Sequence, residues 1–164
     1  MEIFMKRLIF TSLLFVVFAI SSCGGAAVRG DLLGLTIGMT RAQAIQHLAA
    51  IGQLQRQESG RQEIWKLSSD TRFNTVAVGF DREDQVRYVT AFVDKASATE
   101  RIPFTSVGNI AKARSEIVGP HHRYIWNTDN YTVNVYGDDP DLVTIYTLTR
   151  PIGQGAVSEE EDDD

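Results

Sequence analysis

Two stretches of the chain alternate apolar and polar residues with a period of two, which is typical of β-strands that bury one face. The side chains of Val76, Val78 and Phe80 fall on one side of the first stretch, and those of Val133 and Val135 on one side of the second. Turn-forming residues separate these stretches from similar segments. The pattern predicts six strands, around residues 62–67, 75–80, 85–93, 123–126, 131–136 and 142–148.

A helix is predicted before the first group of strands. Thr40 and Gln43 have the spacing of a capping box, in which each side chain bonds to an unpaired backbone N–H group at the start of a helix. The apolar stripe that follows includes Leu48 and Ile51, and Gly52 is a typical residue at a helix end.

A second helix is predicted before the second group of strands. It begins at Ser106 or Asn109 and ends before Gly119 and Pro120, because proline cannot continue a helix. The order of elements is therefore the same in both parts of the chain.

The two parts also share sequence. Residues 75–90 and 132–147 align without a gap at a constant offset of 57, and seven positions are identical. The identical pairs are Thr75/Thr132, Val76/Val133, Val78/Val135, Asp81/Asp138, Asp84/Asp141, Val86/Val143 and Thr90/Thr147. We interpret the chain as a tandem repeat of one structural unit.

The predicted fold class is α+β, with two α-β-β-β repeats that form one antiparallel, six-stranded sheet and place both helices on one face. The repeats span residues 31–93 and 103–150, and residues 94–102 connect them. Joining the two units by their edges removes two exposed sheet edges and enlarges a core that would be marginal in either unit alone. The sheet face opposite the helices is expected to be open.

The N-terminus predicts export. Lys6 and Arg7 precede a 13-residue apolar run that ends at Ile20, which is too short to span a bilayer comfortably. Residues 1–22 are therefore predicted to be a signal peptide, followed by a linker over residues 23–30.

The sequence Ile20-Ser-Ser-Cys23 resembles the lipobox of bacterial lipoproteins, and Cys23 is the only cysteine. The resemblance implies cleavage before Cys23, acylation of its sulfur and amine, and attachment to the membrane through the acyl chains. Gly24, rather than Asp, follows the cysteine. In that family this residue favours the outer membrane, with the protein facing the periplasm. The alternative interpretation is an ordinary secretory signal.

Composition and charge narrow the class of protein. With 43% hydrophobic and 23% charged residues, the chain is an ordinary globular protein rather than a disordered one. The net charge of −5 argues against nucleic acid as a partner. Residues 151–164 are predicted to be a disordered tail, in which six consecutive acidic residues repel one another. The tail either keeps the protein soluble or binds a basic partner or divalent cations.

The stretch Leu35-Thr-Ile-Gly-Met-Thr resembles the start of small lipoproteins of the SmpA/OmlA (BamE-like) family. Trp65, Phe80-Asp81, Val86 and Ile117-Val-Gly-Pro120 stand at places that match the same family. The tandem arrangement resembles the β-lactamase-inhibitor-protein-like (BLIP-like) superfamily, whose two αβ repeats bind proteins across a sheet. These resemblances imply a non-catalytic protein-binding module in outer-membrane protein assembly or envelope maintenance.

Aromatic residues of the second repeat are the predicted contact surface. Strand alternation places Tyr136 and Tyr146 opposite the presumed helix-packed face, where Tyr124 and Trp126 can join them. Tyrosine and tryptophan are enriched where proteins bind one another. The alternative is that these aromatics seal the junction of the repeats or are half-buried sheet residues.

The sequence shows no pattern typical of an enzyme or a metal protein. It has no nucleophile motif, phosphate-binding glycine loop or zinc-protease motif. Adjacent His121 and His122 chelate poorly on a strand, and the spacing of Asp138, Asp139 and Asp141 is not that of a calcium loop. We therefore expect no catalytic residues, no metal and no cofactor. The alternatives are an inhibitor of a secreted hydrolase and, further, a small envelope enzyme or ligand carrier.

Overall fold

A computed structural model describes residues 27–68, 70, 72–93, 100–138 and 142–151. The predictions for the signal peptide, Cys23 and the acidic tail beyond residue 151 lie outside these residues, as do residues 94–99 of the predicted connector.

The described part of the chain is mostly β-structure. A short hairpin of β1 (Asp31–Leu32) and β2 (Leu35–Thr36) comes first, and helix α1 (Arg41–Ile51) follows it. The main sheet then begins, and a one-turn helix α2 (Phe104–Val107) interrupts its strands after the fourth. The eight strands are β3 (Gly52–Glu58), β4 (Gln62–Leu67), β5 (Thr75–Phe80), β6 (Val86–Phe92), β7 (Arg114–Val118), β8 (His121–Asn127), β9 (Thr132–Gly137) and β10 (Ile145–Thr149).

All neighbouring strands of the main sheet are antiparallel, in the order β3-β4-β5-β6-β10-β9-β8-β7. The two halves of the chain meet between β6 and β10, at the middle of the sheet. Thr90 and Thr147 lie directly opposite each other there, with their hydroxyl oxygens 3.1 Å apart. These two residues are separated by the 57-residue offset of the sequence repeat.

The predicted fold class is wrong. The sheet has eight strands rather than six, and the two parts are not α-β-β-β repeats with both helices on one face. The strand β3 was missed because its residues are mostly polar and exposed, so they show no alternation. The second long helix is absent. Its residues form a 3-10 turn over Ile110–Lys112 and then β7, in which β-branched Ile117 and Val118 favour extended backbone.

The start of α1 agrees with the prediction. The Thr40 side chain accepts a hydrogen bond from the Gln43 backbone N–H, and the Thr40 backbone N–H donates to Gln43 Oε1 at 3.2 Å, which confirms the capping box. The helix ends where Gly52, in extended backbone, donates its N–H to the Leu48 carbonyl and starts β3. The helix and the first edge of the main sheet are thus joined without a loop.

One face of the main sheet, which we call the core face, is buried against α1 and the β1–β2 hairpin. Ala44 and Leu48 of α1, with Leu32 and Leu35 of the hairpin, form a single apolar cluster with side chains from both halves of the sheet. The core face includes the row of cross-strand neighbours Trp65, Val76, Ala91, Tyr146, Val135 and Tyr124. Because side chains alternate along a strand, the residues between them point to the opposite side.

Candidate functional site

The sheet face opposite the core face, which we call the open face, carries the candidate site. One row of directly opposed residues crosses four neighbouring strands there, from β6 through β10 and β9 to β8. Its members are Phe92, Ile145, Tyr136 and Arg123, and we call them the aromatic stripe. Directly opposed residues of antiparallel strands share a face and lie close enough for their side chains to touch. The stripe is therefore continuous across the seam between the two halves.

The stripe is accessible to solvent. Phe92 is 37% exposed, and Ile145, Tyr136 and Arg123 are half-buried. The guanidinium carbon of Arg123 lies 5.2 Å from the centroid of the Tyr136 ring, which is a cation–π distance. An apolar surface of this kind, limited on one side by an arginine, is suited to contact with another apolar and acidic surface.

Arg123 is held in place by its neighbours. Its Nη1 donates to Glu116 Oε2 at 3.1 Å, and its Nη2 donates to Asn134 Oδ1 at 2.9 Å. Its Nε is the one buried side-chain nitrogen or oxygen of the described residues without a hydrogen-bond partner. The arginine is thus pre-positioned on the open face, and little conformational entropy remains to be lost when it binds.

A hydrogen-bonded polar cluster lies on the open face at the end of β6 opposite Phe92. The Tyr88 hydroxyl donates to Gln62 Oε1, and Gln62 Nε2 donates to Glu58 Oε2 at 2.6 Å. Burial raises the pKa of Tyr88 above its ordinary value, and the opposing effect of the nearby Arg87 charge is smaller. The Tyr88 ring covers Gly79, where a Cβ atom would overlap the ring. The Tyr88 ring and its hydrogen-bonded neighbours therefore cover the backbone in this part of the open face.

The strand registers also fix the charge of the open face. The basic side chains on it outnumber the acidic ones. The basic residues are Arg56, Lys66, Arg114 and Arg123, and the acidic residues are Glu58 and Glu116. The strand residues of this face thus carry a small basic excess, and most of their charge is paired, Arg56 with Glu58 and both Arg114 and Arg123 with Glu116.

The structure separates the four aromatic residues that were predicted to form one exposed surface. Tyr136 lies on the open face, whereas Tyr124, Trp126 and Tyr146 lie on the core face. Trp126 is 4% exposed and Tyr146 is 8% exposed. The predicted placement of these three residues on the face opposite the helix-packed one is therefore wrong. Tyr136 alone keeps its predicted place.

Tyr124, Trp126 and Tyr146 instead fill the core. The Tyr124 ring centroid lies 4.8 Å from that of Phe104 and 6.1 Å from that of Trp126. The Trp126 indole Nε1 donates to the Asn109 carbonyl at 3.0 Å. Tyr146 packs edge-on against Phe73 with the ring centroids 6.5 Å apart. Burial raises the pKa of Tyr146 to about 12.

The error for Tyr146 arose from an irregular start of β10. Backbone N–H groups of Val143 and Thr144 donate to the carbonyls of Ile102 and Tyr136, and the regular ladder begins only at Ile145. Val143 and Ile145 were assigned to the same face by strict alternation. Val143 belongs to the core cluster, whereas Ile145 lies on the open face.

Sequence reasoning also missed three members of the stripe, namely Phe92, Ile145 and Arg123. The alternation in β5 could have predicted the position of Phe92. It places Val76 and Val78 in the core, and because opposed residues of antiparallel strands share a face, it also fixes which residues of β6 face the core. Phe92 faces Thr75 in this register and so belongs to the open face. The sequence repeat predicts that the two units join by their edges, but it does not specify that β6 and β10 form the pair that completes the stripe.

A buried carboxylate lies on the core face. Glu63 is 3% exposed, and its Oε1 accepts hydrogen bonds from Arg41 Nε at 3.2 Å and Nη2 at 2.8 Å. Its Oε2 accepts a hydrogen bond from Trp65 Nε1 at 3.1 Å. The hydrogen bond to Glu63 is the largest of the causes that raise the pKa of Arg41. Both oxygens of Glu63 are occupied, which is typical of a structural ion pair rather than a catalytic base.

Within the described ranges, no group of three or more His, Cys, Asp or Glu residues could hold a metal ion. None of the described helices has the length and apolar character needed to cross a membrane.

No protein-family model matches the chain, and no curated protein matches it. Among solved structures, a DUF4309 family protein (YjgB) from Bacillus subtilis subsp. subtilis str. 168 is similar to it with a TM-score of 0.43 and 14% sequence identity. The match covers 77% of this chain and 88% of the other. Similarity at this level assigns neither a family nor a function.

Proposed function

We propose that this chain is a non-catalytic, lipid-anchored envelope protein that binds another protein through the aromatic stripe on its open face. The proposal rests on the geometry of the aromatic stripe. Phe92, Ile145 and Tyr136 form a continuous apolar surface, and Arg123 is fixed at its end. The predicted lipobox at Cys23 supports the anchor, and the resemblance to SmpA/OmlA lipoproteins favours a role in outer-membrane protein assembly or envelope maintenance.

The residue types of the stripe favour a protein as the ligand. Tyrosine and arginine dominate the binding energy of many protein interfaces, because they bury a large area and lose few conformations. In the stripe, Tyr136 and Arg123 stack on each other. Polar residues that flank them on the open face include Asn134 and Glu116. A polar rim around an apolar centre is typical of such interfaces.

The charge of the open face indicates the chemistry of the partner. Arg123 and Lys66 lie in the same cross-strand row as Phe92 and Tyr136. A partner segment with acidic side chains beside apolar ones would complement this row. Such complementarity raises the rate of association and the specificity more than the affinity.

Site-specific photo-crosslinking in intact envelopes tests the binding surface. A photoreactive amino acid at Tyr136 is expected to form an adduct with a discrete partner, whereas the same probe at Gln53, in the same row but on β3, is not. The additional substitution Ile145→Asp should abolish the adduct. Equal crosslinking from both probes, or crosslinking that Ile145→Asp does not change, would contradict the proposal. An outer-membrane barrel as the partner favours assembly, and a hydrolase favours inhibition.

Fractionation of cells tests the anchor. Replacing Cys23→Ser removes the only sulfur that can be acylated and should release the protein from membranes. Ser22→Ala is the matched control, because alanine suits the position before a lipobox cysteine and should leave the protein bound. Membrane association that persists in Cys23→Ser would refute lipid anchoring without affecting the proposed binding surface.

A further inference from the structure

Among the described strands, the main sheet ends in two edge strands of different character. In β3 the pairing register shifts between Leu54 and Arg56, and its exposed side chains are mostly polar or charged. A bulge and charged residues are the usual means by which an edge strand avoids pairing with another chain. In β7 the pairing to β8 runs from Arg114 to Val118 without a shift. The edge at β3 is protected, and the edge at β7 is not.

The edge strand β7 also exposes apolar side chains. Ile117 is 76% exposed and Val118 is 48% exposed, at the end of a regular strand. A regular edge strand with exposed β-branched residues is a template for a further strand, because its outward N–H and C=O groups remain available for pairing.

The charges of β7 are complementary to those of a second β7. Arg114 and Glu116 lie two residues apart and therefore on the same face. When two copies pair antiparallel about a two-fold axis through Ser115, each Arg114 stands opposite the Glu116 of the other copy. A register centred on Glu116 would place like charges opposite each other, and one centred on Ile117 would place Glu116 opposite Val118.

The same register places the apolar residues favourably. Ile117 of each copy stands opposite Ala113 of the other, a small residue that already packs against the core cluster. Directly opposed residues share a face, so the two open faces would lie on the same side of one continuous sheet. Both aromatic stripes would then be presented together.

We propose that β7 is a dimerisation edge, which pairs antiparallel with β7 of a second copy of this chain in the register centred on Ser115. The dimer continues the sheet and encloses both unprotected edges. The edge meets the aromatic stripe only at Glu116, which accepts a hydrogen bond from Arg123, and the Ser115 disulfide test leaves both residues unchanged. The dimer therefore does not depend on the proposed function.

Disulfide trapping tests the register directly. Opposed residues of antiparallel strands have Cα atoms about 4.5–5.5 Å apart, which a disulfide can span. The full chain with Ser115→Cys, exported to an oxidising envelope, should form a covalent dimer. Gln55→Cys, which places the thiol on the exposed strand β3, is the matched control, and the unmodified chain measures any linkage through Cys23. Non-reducing electrophoresis would overturn the proposal if Ser115→Cys gives no more dimer than Gln55→Cys, or links to a different protein.

Charge variants provide an independent test. Arg114→Glu alone and Glu116→Arg alone place like charges opposite each other in a dimer of identical copies, and each should dimerise at least about fivefold more weakly. A mixture of the two variants restores both opposite-charge pairs. Differently tagged copies should therefore co-purify from the mixture but not from either variant alone. Failure of the mixture to recover, or unchanged dimerisation of the single variants, would overturn the proposed register.

Discussion

The ion pair between Arg41 and Glu63 is the residue-scale interaction that ties α1 to the sheet. The carboxylate is buried, and Arg41 also donates to the Gly60 carbonyl at 3.1 Å and lies over the Phe80 ring at 5.0 Å. Removing one partner of a buried pair is costly, because the other charge is left in a medium of low polarity. Removing both partners avoids that penalty.

We therefore expect Arg41→Met to lower the free energy of unfolding by about 3 kcal/mol. The double variant Arg41→Met/Glu63→Leu should be more stable than Arg41→Met alone, because no uncompensated carboxylate remains. Urea unfolding of the single and double variants measures both values. A double variant that is less stable than the single one would show that the pair contributes through packing rather than through charge.

The carboxyl of Asp81 makes stability depend on pH. Burial acts to raise its pKa, but the hydrogen bonds that it accepts from the Gln85 N–H and the Arg150 guanidinium outweigh burial, and the net effect lowers the pKa. A carboxyl whose pKa is lower in the folded state stabilises the fold above its unfolded pKa. That contribution is lost as the pH falls through the folded pKa.

Asp81→Asn should thus be less stable than the unmodified chain at neutral pH, and the difference should narrow as the pH falls from about 6 to about 2. Thermal unfolding at several pH values measures the difference. Asp129→Asn, which removes one carboxyl from an exposed turn, is the control for the loss of a single negative charge. A constant difference between Asp81→Asn and the unmodified chain would exclude the proposed linkage.

Prediction of the site from sequence failed at single residues for a definite reason. Tyr136 was placed correctly because its strand alternates regularly, with Val133 and Val135 buried. Tyr146 was placed on the wrong face because the irregular backbone before Ile145 reverses the alternation, and no residue type marks that irregularity. A one-residue change of register moves every side chain to the opposite face.

At the scale of elements, local signals were reliable and long-range ones were not. The helix α1 and the strands β4, β5 and β6 were predicted where they occur, because a capping box and an alternating pattern are read within a few residues. The segment of β7 contains apolar residues that also suit a helix. Its pairing with β8, which the local sequence does not encode, decides in favour of a strand.

The capping box offers an element-scale prediction. Thr40→Ala removes the side chain that accepts from the Gln43 N–H and should lower the free energy of unfolding by about 1 kcal/mol. Gln46→Ala, at an exposed position in the middle of α1, is the control and should change stability by less than about 0.5 kcal/mol. Chemical denaturation compares the two variants. Equal effects would show that the cap contributes nothing beyond helix propensity.

At the scale of the molecule, the two halves share one apolar cluster and one sheet. Each half contains one tryptophan, Trp65 in β4 and Trp126 in β8, and both belong to that cluster. Leu148 of β10 lies fully buried beside the seam and pairs with Val89 of β6. The halves should therefore unfold together.

Single-tryptophan chains test this expectation. In Trp65→Phe and in Trp126→Phe, the remaining fluorophore reports on one half, and its urea midpoint should coincide with that of far-UV circular dichroism in the same variant. Leu148→Ala should lower the free energy of unfolding by about 3 kcal/mol and shift both signals equally. Midpoints that separate would show that the seam does not couple the halves.

The hydrogen bond from the Tyr131 hydroxyl to the Val28 carbonyl, 2.8 Å long, has a consequence for orientation. Val28 lies only five positions after Cys23, so an acylated cysteine would hold the loop between β8 and β9 within about 18 Å of the bilayer surface. Arg123 and Tyr136 lie four residues further along their strands than Asn127 and Thr132, or about 13 Å farther from that loop. In the proposed lipid-anchored protein, this short tether would direct the far end of the sheet away from the lipid headgroups, where a neighbouring molecule can approach it.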